Sequence, residues 1–352
     1  MNTKPIDAIA RAVLYEGYML YPYRPSSVKN RQRFNFGVLY PRSYSEAQTG
    51  SDAWSMQTEC LIEGAPLAAI EIRIRFLKLV DRSLRRLVER VPQPDGMPVV
   101  ENVPMIEVGG KVFQAWQEAV EQEVVVPVCN LGALTTNPVE WKFTFSAKEE
   151  LEFLRDAKGQ AEGVIARRQE AVEGAIEIKA APAADGVFRI QVIVKNLTAL
   201  EDAGEVSRNQ ALMRSLVSAH ILLGVENGQF VSLLDPPESL REFAASCQNV
   251  GVWPVLVGAE VERDTMLASP IILYDYPQIA PESPGDLFDG TEIDEILALR
   301  IMTMTDDEKS EMRNTDDRAR RILERTETLP MEHLMKLHGT LRELRPFKEE
   351  MP

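Results

Sequence analysis

Along the chain the hydrophobic positions fall into two periods, and the change of period marks the elements. Ile70, Ile72, Ile74 and Phe76 alternate with Glu71, Arg73, Arg75 and Leu77, which predicts a strand with one buried and one wet face inside Trp54–Val80. Met105–Val108, Gly109-Gly110 and the stretch from Lys111 read as a hairpin, because glycine accepts the positive φ of a tight turn. Glu118–Val128 and Trp141–Phe145 continue the strand pattern, and Val164–Ala180 with Gly186–Asn196 reads as another hairpin. Asn227-Gly228 is the strongest short hairpin signal, between HILLGVE and QFVSLL. Trp253–Val257 and Ser269–Tyr274 are the last two predicted strands, largely apolar and therefore buried.

Helical spacing appears at the two ends and in short insertions. Ile6, Ile9, Ala10, Val13 and Leu14 make Ile6–Glu16 an amphipathic helix. Ser146-Ala-Lys-Glu149 has the capping-box pattern and predicts a helix through Leu154; Asp235-Pro236 starts another, through Cys247. Ser207–Ser218 fits both periods, and its better reading is helix followed by strand. Near the end, Thr291 with Asp294 and Thr305 with Glu308 are capping pairs. Lys309–Thr326 has few apolar residues and is expected to lie exposed, and Pro330 opens a last helix with Leu334, Leu337, Leu341 and Leu344 along one side. Gln117-Glu-Ala-Val-Glu121 recurs as Gln169-Glu-Ala-Val-Glu173, either a duplicated hairpin or a coincidence of common residue types.

Charge changes the picture locally. The net charge is −15, which argues against a nucleic-acid binder, since counterion release needs clustered Lys and Arg along a face. Within that background, Gly17–Ser45 carries Arg24, Lys29, Arg31, Arg33 and Arg42 with no acid, interleaved with Tyr18, Tyr21, Tyr23, Phe34, Phe36 and Tyr40. The opposite island lies between Arg263 and Arg300: Asp264, Asp275, Glu282, Asp286, Asp289, Glu292, Asp294 and Glu295 with no Lys or Arg. Pro277, Pro281 and Pro284 predict an extended strap there. Either the two islands clasp each other within the chain, or they are offered to a partner of opposite charge; five cations without an acid exceed what holding one loop requires, which favours the partner.

Candidate chemistry adds little. There is no GxGxxG, Walker loop, GxSxG, HExxH or EF-hand spacing. His220 sits in apolar SAHILLG and reads as a core histidine; His333 and His338 are too far apart on a helix to share a face. Cys60, Cys129 and Cys247 show no metal or redox spacing and read as free thiols. The acids of 275–295 lack the alternating ligands of a calcium loop, so no metal and no cofactor is expected; a metal-dependent hydrolase using them is the rival reading. No apolar run approaches the roughly 18 residues needed to span a bilayer, and the first residues do not read as a signal peptide, so a cytoplasmic protein without membrane insertion is expected.

Three stretches carry a resemblance: YEGYMLYPYRPSSVKNRQRFNFGVLYPR (Tyr15–Arg42), NVGVWPVLVG (Asn249–Gly258) and SPIILYDYPQIAPESPGDLFDGTEIDEILALRI (Ser269–Ile301), together about a fifth of the chain. They resemble uncharacterised proteins encoded beside [NiFe]-hydrogenases of aerobic, hydrogen-scavenging bacteria. The resemblance implies an accessory role in assembly, maturation or operation of such an enzyme, with a hydrogenase subunit or maturation factor as partner. The chain lacks the His-rich tracts, nucleotide loops and cysteine pairs of nickel-handling and iron-ligand-delivering factors, which points to a scaffold, chaperone or structural subunit. The expected architecture is α+β, mainly an antiparallel β-sandwich. Residues 1–50 form an N-terminal helix and basic arm, 51–277 the β body, and 278–352 the acidic strap and C-terminal helices. The expected partner-binding residues are Tyr21, Tyr23, Arg24, Lys29, Arg31 and Arg33 on the arm and Asp275, Glu282, Asp286 and Asp289 on the strap, with no catalytic residue.

Overall fold

The computed structural model describes residues 3–18, 24, 27, 30, 33–50, 52–88, 100–279 and 294–330. Two helices, α1 (Thr3–Leu14) and α2 (Arg42–Ala47), precede the long strand β1 (Ser55–Leu87). Next come β2 (Val100–Val103), the hairpin β3 (Met105–Val108) and β4 (Lys111–Gln114), β5 (Trp116–Asn130) and α3 (Leu131–Thr136). Then β6 (Val139–Phe145), β7 (Lys148–Arg155), β8 (Ala161–Gln169), β9 (Val172–Ala184) and β10 (Val187–Asn196) lead to α4 (Arg208–Leu212) and β11 (Val217–Phe230). A short helix α5 (Arg241–Ala245), β12 (Trp253–Leu256) and β13 (Thr265–Ser269) close the sheet, and α6 (Asp294–Met302), α7 (Asp306–Thr315) and α8 (Asp317–Glu327) follow. The protein is α+β and mainly antiparallel sheet.

β1 is the hub. Its first part, Ser55–Glu63, pairs with β10; its later part pairs with β11, β5, β8 and β2. The register with β11 breaks between Gly64 and Ala69, where the strand bends. Gly64 allows the close approach there, because a Cβ on it would sit 3.2 Å from Gly228 Cα. Bent in this way, one continuous sheet folds back over itself, and Ile70, Ile72, Ile74 and Phe76 of β1 share a core with Phe143, Ile176, Ile178, Val192 and Leu223. Alternation along β1 therefore has the predicted cause, with Ile72 buried and Arg73 held at the surface by Glu71 and Glu123.

A second core joins the two ends of the chain. Leu14, Tyr15, Tyr18, Phe34 and Tyr44 pack with Leu297, Ile301, Met312, Ile322 and Leu323 over Leu77 and Leu79 of β1.

Several expectations are corrected. The helix predicted for Ser146–Leu154 is strand β7: pairing with β8 supplies its backbone bonds, and the Ser146 carbonyl accepts from buried Lys78 Nζ at 2.9 Å. Asn227-Gly228 makes no hairpin; β11 runs through it, with Asn227 at φ 60°, beside the bend of β1. The strand predicted over Ser269–Tyr274 ends at Ser269, because Pro270 has no N–H to continue the ladder, and Ile272 and Tyr274 turn outward. The helix predicted from Pro236 to Cys247 shrinks to a 3-10 turn, Glu238–Leu240, followed by α5. Lys309–Thr326 does not lie exposed throughout: Met312 and Thr315 of α7 and Ala319, Ile322, Leu323 and Thr326 of α8 fall at helical spacing within their helices and are buried. The Thr305–Glu308 capping box forms as predicted, whereas the Thr291 cap and the helix from Pro330 lie outside the described residues.

Candidate interaction surface

Of the arm's cations that the structure describes, Arg33 is held inward, Arg24 is partly exposed and Arg42 is exposed. Arg33 is buried, and its guanidinium lies 3.7 Å from the ring centroid of Trp116 and 4.6 Å from that of Phe34. Its Nη1 donates to the Tyr18 carbonyl at 3.0 Å and its Nη2 to the Gln117 carbonyl at 2.8 Å. Burial pulls the Arg33 pKa down to about 10, against the pull of Tyr18 and Asp316, so the group stays charged at neutral pH. Arg33 is thus corrected from a partner-facing cation to an internal one: aromatic faces and carbonyls satisfy it better than a solvent-exposed loop would. Tyr18 donates to Asp316 Oδ2 at 2.6 Å, and burial first, then the Asp316 charge, push its hydroxyl pKa upward. Arg318 stacks on Tyr15 at 4.1 Å.

Arg24 meets acids, though not those of the predicted strap: Glu308 at 3.1 Å and Glu311 at 3.7 Å, both on α7. These pairs are partly exposed and contribute at most about 1 kcal/mol each. Tyr21, Tyr23, Lys29 and Arg31 lie outside the described residues, as do Glu282, Asp286 and Asp289.

Of the four acids expected to bind a partner, Asp275 is the one the structure describes. Its carboxylate accepts from Ser232 Oγ at 2.5 Å and from the Leu256 N–H at 2.8 Å, and the next residue, Tyr276, donates its N–H to the Leu256 carbonyl at 2.7 Å. Asp275, expected as a partner-binding acid, thus acts within the chain as a staple. Both backbone groups of Leu256 are satisfied by 275–276, and Tyr276 adopts φ 56°, a left-handed conformation that costs a bulky residue about 1 kcal/mol or more.

The consequence of the staple is a set of exposed apolar side chains on tethered backbone. Ile272 is 73% exposed and Tyr274 86%, on the turn that the staple holds against β12. Trp253, at 41%, begins β12 opposite Ser269, and Val250, at 59%, bridges to Gln57 just before it. Sequence reasoning placed Trp253, Ile272 and Tyr274 in buried strands and missed their exposure. Pro270, directly after the last paired residue, was the available signal.

Two adjoining cavities of about 600 and 710 Å³ share Arg168, Gln210 and Met213. Their cations are engaged: Arg208 donates to the carbonyls of Arg33 and Phe34, while Arg168 and Arg214 both bond Glu170. Among the described residues no three His, Cys, Asp or Glu side chains converge to hold a metal ion, and no helix is long and apolar enough to cross a membrane. His220 is a buried histidine whose Nδ1 faces the Ser218 carbonyl at 2.7 Å and whose Nε2 meets no hydrogen-bond partner among the described residues. No protein-family model matches the sequence, and no curated protein matches it.

Proposed function

We propose that the chain is a non-catalytic accessory protein that acts by holding another protein, with the stretches around Val250–Trp253 and Ile271–Ile279 as its docking surface. The observation that carries this reading is the exposure of Trp253, Ile272 and Tyr274 on backbone fixed by the Asp275 staple. Large apolar side chains on tethered backbone lose little entropy on binding, and aromatic anchors dominate interface energetics. The strained Tyr276 that maintains this presentation fits a surface shaped for recognition. Two of the three stretches that resemble hydrogenase-associated proteins, Asn249–Gly258 and Ser269–Ile301, supply these residues, so the partner to seek first is a [NiFe]-hydrogenase subunit or maturation factor met in the cytoplasm.

The test is affinity purification of the full-length tagged chain from its native host, with the doubly substituted Ile272→Asp/Tyr274→Asp chain alongside. A hydrogenase subunit or maturation factor should accompany the unaltered chain and be lost with the double variant at unchanged melting temperature. Equal retention by both chains would remove the docking surface from these residues, and enrichment of no hydrogenase-related protein would remove the partner.

A further inference from the structure

β6 and β7 are one edge. Phe145 pairs with Val172 and Lys148 with Gln169, so two residues are skipped on each strand and the register of β6 on β9 continues unchanged as that of β7 on β8. Residues 139–155 therefore form the outer strand of a single ribbon, interrupted at 146–147 and shifted in register between Leu154 and Arg155. Among the described residues no strand pairs with its outer side. A long open edge is a template for further pairing, and natural proteins blunt such edges with charge or cover them. This one is charged, yet it also leaves Trp141 (38%), Leu151 (54%) and Phe153 (49%) exposed.

We infer that this edge is a self-association surface, on which a second copy of the chain adds its own β6–β7 edge antiparallel, with the two-fold axis at Ala147. The sequence of the edge selects both the occupant and the register. With the axis at Ala147, Trp141 stands opposite Phe153 of the second copy, Phe143 opposite Leu151 and Lys142 opposite Glu152, each pair formed twice. Aromatic and opposite-charge pairs directly across an antiparallel seam are the favourable ones. Lys142 is available for this: its side chain is 72% exposed, and its ion pair to Glu140 is long, at 3.8 Å. Pairing β7 with β7 instead sets like charges across the seam: Lys148 against Arg155 in one register, Glu150 against Glu152 or Glu152 against itself in the registers beside it. In this register Ala147 of each copy faces itself and Ser146 faces Lys148, so the interruption of each ribbon lies beside the axis. This surface is separate from the docking stretches proposed above and stands without them.

Sedimentation equilibrium of the full-length chain tests it by charge exchange. The unaltered chain should be a dimer. Lys142→Glu and Glu152→Lys should each raise the dimer dissociation constant roughly tenfold or more, since each places two like-charge pairs in the seam. The double exchange, Lys142→Glu with Glu152→Lys, should restore the dimer. Glu152 also bonds Arg167 within the chain, so circular dichroism of each variant is recorded, and Lys142→Glu alone carries the argument if Glu152→Lys unfolds. A monomeric unaltered chain, or a dimer indifferent to Lys142→Glu, would overturn the inference.

Discussion

Two buried basic side chains take opposite charge states because their surroundings differ. Arg33 keeps its charge because stacking on Trp116 and two carbonyl acceptors replace water, whereas His220 is kept neutral. Burial, and the Arg75 charge beyond it, lower the His220 pKa from 6.5 to about 4, with the Ser218 carbonyl opposing. The unfolded chain thus takes up a proton near pH 6.5 that the folded chain refuses until about pH 4. Stability from this site is complete above pH 6.5 and declines as the pH falls toward 4, by roughly 3 kcal/mol in total. Urea unfolding at pH 7.5 and pH 4.5 should show this decline in the unaltered chain and a smaller one in His220→Leu. Equal declines would mean that other groups carry the acid sensitivity. Sequence context identified His220 as a core residue, but its depressed pKa needed the packing of the surrounding strands.

Among the elements, β1 is the most informative. Its alternation was legible because period two is a local property: each residue's face follows from its neighbours along the strand. Ile72→Asp should therefore cost several kcal/mol by burying an unpaired charge, and Arg73→Ala about 1 kcal/mol or less, since it removes only surface ion pairs to Glu71 and Glu123. Thermal melts of the two variants check this, and equal shifts would contradict the register. β7 shows the limit of local reading. Ser146-Ala-Lys-Glu149 satisfies a helix-capping pattern, yet the ribbon with β8 offers that backbone a ladder extending from β6, and the tertiary partner prevails over the local signal. Asn227-Gly228 likewise asked for positive φ and received it in a continuing strand at a bend, where the requirement for close approach is the same as in a turn.

For the whole molecule, the arm and the C-terminal helices meet in one core over β1. Arg33, Tyr18 and Asp316 tie them at its rim. Arg33→Ala would leave two carbonyls without their donor and a gap between Trp116 and Phe34, at a cost of about 3 kcal/mol. Arg33→Lys should also destabilise, because an ammonium cannot stack and fork in the same way. Differential scanning calorimetry should show both variants melting below the unaltered chain; unchanged melting would show that the cage is dispensable. The charge islands alone left a clasp and a partner open and favoured the partner; within the chain Arg24 pairs with Glu308 and Glu311 of α7.

The sequence by itself determined the fold class, the strand alternation, the helix with its cap at Thr305 and the free state of the three cysteines. Each rests on a period, a neighbour pair or a count, all of which are local. Only the tertiary structure decided which charges face inward, which apolar residues face outward, and which strand is left at an edge. Those depend on partners distant in the chain: Trp116 for Arg33, Leu256 for Asp275, and β8 with β9 for β6 and β7. Charge has no period to reveal its direction, so a cation reads the same in sequence whether it ends beneath an aromatic ring or in water.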